Sequence, residues 1–168
     1  MFVGSARPPG AKLLWKTAAP PRVKFFFWLV VHRQCWTAAR RKQHGLQDSD
    51  DCIMCAQAVE MMDHIIPGCV LSRQIWAMIL TKLHFQDVQD EDVMPLWIRI
   101  RKVLPKENRR VFDSLFFLVG WTLWKERNAR TFRNDVATPS ELLQGIVDEA
   151  NLWEMSGFRA LRSLCHLL

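Results

Sequence analysis

Three thiols and one imidazole lie within a single short stretch of this sequence, CIMCAQAVEMMDHIIPGC. Cys52 and Cys55 form a C-x-x-C pair, and His64 and Cys69 follow to give the spacing C-x2-C-x8-H-x4-C. A C-x-x-C pair on a tight turn delivers two thiolates to one side of a metal ion, and a second pair completes the tetrahedron that zinc prefers. The stretch therefore predicts a zinc site of the knuckle type. The alternative is a set of reduced cysteines buried in a core, where free cysteine is common.

The number of ligands indicates which kind of zinc site this would be. A catalytic zinc ion needs an open coordination position and a nearby general base, whereas four side-chain ligands close the site. We therefore expect one structural ion. Cys69 also precedes a helical pattern, whose first-turn N–H groups could hydrogen-bond a thiolate and offset its charge. Cys35 and Cys165 lack a partner at ligand spacing, and we expect both to be core residues.

Two groups of basic residues could contact the phosphates of a nucleic acid. The first group lies just before the Cys/His stretch, near His44, and consists of Arg40, Arg41 and Lys42. The second group lies in the C-terminal half and consists of Arg99, Arg101, Lys102, Lys106, Arg109 and Arg110. Such charges supply salt-dependent, sequence-independent affinity through counterion release. A solvated helix face is the alternative interpretation of both groups.

The segment WKERNAR, residues 124–130, adds basic side chains that belong to neither group. Lys125, Arg127 and Arg130 could also reach a phosphate. However, the (i, i+4) spacing of Glu126 and Arg130 equally suits an ordinary helix surface. Tryptophans could stack on unpaired bases, but at helical spacing beside Leu and Phe we expect most of them to be core.

The fold that must position these residues is predicted to be mainly α-helical. Apolar positions recur at helical spacing from 70 to 83, and a long helix over about 107–131 is apolar all round in its middle. Thr138, Pro139 and Glu141 have the spacing of a helix start with a capping box. We predict further helices over 37–45 with Thr37 as N-cap, from 95 onwards, and over 158–167. We also predict a buried helix over 20–34, where the β-branched and aromatic content leaves a strand as the alternative.

The charge changes sign along the chain and suggests domain boundaries. Residues 1–51 and 95–138 each carry a net charge of +6, whereas 52–94 carry −4 and 139–168 carry −2. The total of +6 favours a polyanionic partner. We predict a flexible N-terminus at 1–12, a zinc-binding helical domain at 13–83, an acidic linker at 84–94 and a C-terminal helical region at 95–168.

Composition bears on the cellular compartment. No segment reaches the roughly 18 consecutive apolar residues that a bilayer span needs. The first ten residues, MFVGSARPPG, lack the apolar stretch of a signal peptide. Five cysteines are an odd number, which favours a reducing compartment over a disulfide framework. We expect an intracellular protein of the nucleus or cytoplasm that is neither secreted nor in a membrane.

A wider pattern surrounds the Cys/His stretch. It comprises Trp15, PPRVKFFFW at 20–28, Trp36-Thr37, Glu60 ahead of His64, and Trp76 after Cys69. Over about 13–83 this pattern resembles the zinc-binding domain of plant-type non-LTR retrotransposon reverse transcriptases. The segment WTLWKERNARTF at 121–132 is similar to one that commonly follows that domain in such elements. The resemblance implies that Cys52, Cys55, His64 and Cys69 are the ligands of one zinc ion.

The family normally lies downstream of a polymerase domain, and here the chain departs from the pattern. It has no tyrosine and therefore no Tyr-x-Asp-Asp loop, and no Phe- or Met-x-Asp-Asp substitute occurs. Asp50 and Asp51 lie in a polar connector that lacks a strand–turn–strand setting. We expect a detached, non-catalytic module that binds RNA or DNA and could associate with a reverse transcriptase. The alternative is a zinc-stabilised protein-interaction or scaffold module that binds no nucleic acid.

Overall fold

The structure, a computed structural model, describes residues 10–82 and 92–162. Within these ranges regular structure is helical, and the one strand-like pairing is an isolated antiparallel bridge between Asp51 and Val59. The α-helices are α1 (Ala11–Leu14), α2 (Pro21–Val31), α3 (Ala38–Gln43), α4 (Val70–Lys82), α5 (Val93–Val103), α6 (Lys106–Arg133) and α7 (Pro139–Met155). A π-helical turn covers His64–Gly68, and a 3-10 turn covers Arg159–Leu161. The prediction of a mainly α fold is confirmed.

Several predicted features lie wholly or partly outside the described ranges. They are most of the N-terminus at 1–12, most of the acidic linker at 84–94, Cys165, and the end of the helix at 158–167. The domain boundaries stay predictions.

Local sequence signals explain where the helices begin and end. The Thr37 hydroxyl accepts a hydrogen bond from the Arg40 N–H, so Thr37 is the N-cap of α3 as predicted. Thr138 and Glu141 form a complete capping box at the start of α7. The long helix α6 ends where Asn134 takes up a left-handed conformation with φ of 58°, which asparagine tolerates better than most residues do.

Helix α6 is the centre of the core. The π turn, α2, α5 and α7 all pack against it, which explains why its middle is apolar all round. The rings of Phe27 on α2 and Phe117 on α6 stack with centroids 4.0 Å apart. A Cβ added at Gly120 would lie only 2.7 Å from the ring of Phe27, so the glycine permits this close approach. The described parts of 13–83 and 95–168 thus contribute to one hydrophobic core.

None of the helices in the described residues combines the length and apolarity needed to span a membrane.

Candidate metal centre

The four predicted ligands converge on one point. The thiol sulfurs of Cys52, Cys55 and Cys69 and a ring nitrogen of His64 all lie within 4.8 Å of one another. The Sγ atoms of Cys52 and Cys69 are 4.0 Å apart, and Cys55 Sγ is 3.3 Å from His64 Nε2. Cys52 and Cys69 are buried, whereas Cys55 and His64 are half-buried. The predicted clustering of the three thiols and the imidazole is therefore confirmed.

A short hairpin brings the C-x-x-C pair together. The Cys52 N–H donates to the Ala58 carbonyl at 2.9 Å, and the Glu60 N–H donates to the Asp50 carbonyl at 2.7 Å. Between these bonds the chain turns sharply, with Ala56 in the left-handed region at φ 54° and its N–H bonded to the Cys52 carbonyl. Both thiols of the pair consequently face the same side of the turn, where the other two ligands lie.

The second pair is brought together by the π-helical turn. In a π-helical turn the hydrogen bond joins residues five apart rather than four, and here the Cys69 N–H donates to the His64 carbonyl at 2.6 Å. Ile65 and Ile66 are fully buried within the turn and anchor it to the core. His64 and Cys69 therefore stand at the two ends of one fixed turn, and α4 begins directly after Cys69.

The donor atoms fit a zinc ion in both chemistry and spacing. Zinc–sulfur bonds of about 2.3 Å and zinc–nitrogen bonds of about 2.0–2.1 Å, set at tetrahedral angles, separate neighbouring ligand atoms by roughly 3.5–3.8 Å. The 4.0 Å and 3.3 Å separations bracket this range, and the widest, at up to 4.8 Å, exceeds it by about 1 Å, so the four atoms would draw together slightly around an ion. The set of three thiolates and one imidazole is one that structural zinc sites use. A bound ion would cross-link the hairpin to the π turn, with every position filled by a side chain.

The local electrostatics favour a thiolate at Cys69. A hydrogen bond from the Cys52 thiol and two from the N–H groups of Leu71 and Ser72 lower the pKa of Cys69 to about 5, against the opposing effect of burial. The pKa of Cys52 is raised, because its proton is shared with Cys69 and because it is buried. The first turn of α4 thus stabilises the charged ligand, as the sequence suggested. Burial raises the pKa of Cys35 to about 12, in keeping with the predicted core thiol.

Beneath the hairpin, Glu60 and Arg127 form an ion pair. Nothing in the sequence alone indicates this pair. Glu60 Oε1 lies 2.9 Å from Nε and 2.6 Å from Nη2 of Arg127, and both side chains are almost fully buried. Arg127 is therefore neither a surface residue of α6 nor a free phosphate ligand. In the sequence, Glu60 stands out as part of the family pattern and Arg127 as part of the basic segment WKERNAR. The two lie far apart along the chain, so no sequence spacing indicates that they pair.

The first basic group lies on α3 with aromatic neighbours. The guanidinium of Arg40 lies 4.7 Å from the ring centroid of Trp36, and that of Arg41 lies 5.4 Å from the ring centroid of Phe132. Arg40 also donates to the Arg33 carbonyl and to Gln34. Lys42 forms an exposed salt bridge with Asp50 at 2.9 Å. The three residues share one short helix, and their role in binding nucleic acid stays a prediction.

The second basic group lies around the junction of α5 and α6. Arg101 pairs with the buried carboxylate of Asp113 at 2.9 Å, and Arg109 donates to the carbonyls of Leu104 and Lys102. These two arginines therefore hold the junction together. Arg99, Lys102, Lys106 and Arg110 are exposed. The functional assignment of this group is likewise a prediction.

The chain is similar to one protein family over its N-terminal part and to a named plant protein over most of its length. The family model described as "zinc-binding in reverse transcriptase" matches residues 1–76. The chain is 36% identical over 120 residues to an Arabidopsis thaliana protein named "Putative ribonuclease H protein At1g65750". The aligned part covers 71% of this chain and 19% of the relative, so the chain spans about a fifth of the relative's length. No solved structure matches the chain. Residues 1–76, which include all four clustered side chains, therefore match the reverse-transcriptase zinc-binding family that the sequence pattern resembles.

Proposed function

We propose that this protein is a non-catalytic module, stabilised by one zinc ion, that binds RNA or DNA in the service of a reverse transcriptase. The main support for nucleic-acid binding is a surface on and around α3 that is formed by Trp36, Arg40, Arg41 and His44. Trp36 is 47% exposed, with the guanidinium of Arg40 on its face and the ring of His44 at 5.2 Å. An exposed aromatic face edged by cations suits stacking on an unpaired base together with contact to its phosphates.

The charge around α3 supports an anionic ligand. The helix itself, AARRKQ, contains no acidic residue. Lys42 is paired with Asp50, but both side chains are substantially exposed, at 47% and 31%. An exposed pair of this kind contributes little to stability, so a phosphate could replace the carboxylate of Asp50 at small cost. The ligand would then meet three cations on α3 and the exposed indole of Trp36 just before that helix.

The metal loop, residues 50–69 with the four predicted ligands, is directly connected to α3, which gives the zinc ion a role in this function. Glu60 Oε1 accepts a hydrogen bond from the Ala38 N–H at 2.7 Å, and the Glu60 carbonyl accepts one from Ala39 at 3.3 Å. These bonds attach the N-terminus of α3 to the hairpin that carries Cys52 and Cys55. Zinc, by fixing the hairpin, would hold α3 and its cations in place.

We assign no catalysis to this chain. Four side-chain ligands leave zinc no open position for water or substrate, so the ion would be structural. The activity named for the Arabidopsis relative belongs to a protein of which this chain spans about a fifth. A reducing interior compartment, nucleus or cytoplasm, is part of the same proposal because the ligands must stay reduced.

The test is the salt dependence of binding, measured by fluorescence anisotropy with single-stranded and duplex RNA and DNA probes. Loss of three phosphate contacts in Arg40→Ala/Arg41→Ala/Lys42→Ala should reduce the slope of log K against log[salt] by about two on single strands. Trp36→Ala should weaken binding about tenfold with an unchanged slope, because stacking releases no counterions. Zinc content and circular dichroism verify that both variants fold.

Lys102→Ala/Arg110→Ala is the matched control, because it removes exposed cations of the second basic group. We expect its slope to remain that of the wild type, because the proposal confines the phosphate contacts to α3 and leaves out the second basic group. If the slope instead falls in this variant and not in the α3 variant, the assignment to α3 is wrong. Negligible affinity of the wild type for every probe at low salt would replace the proposal with the scaffold alternative.

A further inference from the structure

Helix α6 reaches the C-x-x-C loop at two points, both through arginines of the WKERNAR segment. The first contact passes through Glu60, whose Oε1 accepts two hydrogen bonds from Arg127 and whose Oε2 faces the Ile53 N–H at 3.4 Å. The carboxylate is 1% exposed and the guanidinium 2% exposed. Glu60 therefore links the central helix to a backbone group inside the loop.

The second contact is direct. Nη1 of Arg130 lies 3.4 Å from the carbonyl oxygen of Met54. The same guanidinium is fixed by Glu126 at 2.6 Å and by the Ala137 carbonyl at 3.3 Å. Because these two contacts restrict the Arg130 side chain, it offers the carbonyl of Met54 a fixed donor.

These two contacts are made to the two residues that lie between Cys52 and Cys55. Ile53 and Met54 are the whole of the segment that separates Cys52 from Cys55. One of them is held by its N–H and the other by its carbonyl. The peptide groups that set the directions of the two Sγ atoms are thus restrained from α6, although α6 lies beyond the residues 1–76 that match the family.

We propose that Glu60, Arg127 and Arg130 are positioning residues for the metal centre, and that α6 therefore forms part of the zinc-binding unit. The proposal rests on the zinc site above but not on nucleic-acid binding. Because these contacts restrain the loop before metal binds, the conformational entropy of Cys52 and Cys55 is lost on folding rather than on binding. A metal ion then meets ligands already near their final geometry. Groups just outside the ligands typically change metal affinity by about 10–100-fold when they are removed.

Cobalt titration of the full chain tests this role. Cobalt(II) replaces zinc at such sites, and its visible and thiolate charge-transfer absorption reports both affinity and ligand geometry. Glu60→Gln keeps the shape of the side chain but removes its charge, and Arg130→Ala removes the bond to Met54. We expect each variant to bind cobalt about tenfold or more weakly, with altered bands, while far-ultraviolet circular dichroism remains that of the wild type. Arg127→Lys keeps the positive charge but not the two parallel N–H donors of the guanidinium, so its cobalt affinity should lie between those of the wild type and Glu60→Gln.

Asp113→Asn is the matched control for a general loss of stability. It weakens another contact of a buried α6 carboxylate with an arginine, Arg101 of α5, and the hydrogen bonds of Asp113 go to Trp97 and Arg101 rather than to the C-x-x-C loop. We expect its melting temperature to fall but its cobalt affinity and spectrum to stay those of the wild type. The proposal is overturned if Glu60→Gln and Arg130→Ala bind cobalt as the wild type does, or if Asp113→Asn loses as much affinity. A wild-type chain that binds neither cobalt nor zinc would overturn the metal centre itself.

Discussion

The metal loop at 50–69 and the aromatic core around α6 are held together by different interactions. In the core, stability is spread over many contacts: Phe27 stacks on Phe117, Trp76 stacks on Phe116, and all four rings are buried. In the loop, several apolar side chains are exposed, among them Ile53, Val59 and Met61, and regular structure is limited to one bridge and the π turn. In the proposed zinc-bound form the loop depends on four ligand atoms and one buried carboxylate, so loss of any one of them should matter more there than loss of one contact in the core.

Removal of the metal should give the largest effect and separate the two regions. Structural zinc binds small modules with apparent free energies of about 10–16 kcal/mol, so Cys52→Ser and His64→Ala should abolish stoichiometric zinc. We expect amide hydrogen exchange to accelerate at 50–69 and in α3, and far less in α6. Mass spectrometry of exchange and metal analysis measure both quantities.

Cys35→Ser serves as the control for metal removal, because Cys35 is buried but belongs to no ligand pair. It should retain one zinc ion per chain. Equal loss of protection in α6 and in the loop on zinc removal would mean that the two regions unfold as one unit, and the contrast drawn here would be wrong.

A core truncation should give the complementary result. Phe27→Ala removes a fully buried ring that contacts Phe117 and Gly120, and truncations of this size cost about 3–5 kcal/mol. We expect a lower midpoint of denaturant unfolding but a normal zinc content in the folded fraction. A folded Phe27→Ala fraction that holds less zinc than the wild type would show that the loop depends on the core more closely than we argue.

The smallest expected effect concerns a polar contact that joins α2, α6 and α7. Burial would raise the pKa of Glu149, but hydrogen bonds from Lys125 and Trp153, together with the charge of Arg22, hold that pKa below its ordinary value. A carboxyl with a lowered pKa stabilises the fold above about pH 4.5, and this contribution is lost as the pH falls through the folded-state pKa. Glu149→Gln should therefore cost about 1–2 kcal/mol at pH 7.

The same variant should also show a shallower loss of stability between about pH 5 and 3. Thermal unfolding over this pH range, in the wild type and in Glu149→Gln, makes the comparison. A variant whose stability is unchanged at pH 7 would indicate that water replaces these contacts without loss.

The features that could be predicted from the sequence are those encoded by neighbouring residues. The ligand cluster spans eighteen residues with turn residues between the pairs, and the caps at Thr37 and Thr138 depend on residues three positions away. Helix α2 is an intermediate case, because its β-branched and aromatic content also suits a strand. Its close packing on α6 at Gly120 decides in favour of the helix.

The features that could not be predicted depend on long-range partners. Glu60 and Arg127 are 67 residues apart, and an (i, i+4) partner such as Glu126 makes a basic helix segment look like an ordinary surface. Arg101 looks like a phosphate ligand until its bond to Asp113 is known. The π turn was missed for a similar reason, since only the burial of Ile65 and Ile66 shows why the chain widens there.

The buried ion pair has a consequence for how this chain can be shortened or rearranged. A copy of the coding sequence interrupted by a stop codon after α4 would still encode all four predicted zinc ligands, yet it would lack both Arg127, the counter-ion of Glu60, and the helix on which the π turn packs. Without that helix the Glu60 carboxylate would be exposed to water and could no longer hold the hairpin through a buried ion pair. We therefore expect a premature stop in the distal half of the coding sequence to destabilise the zinc-binding half as well.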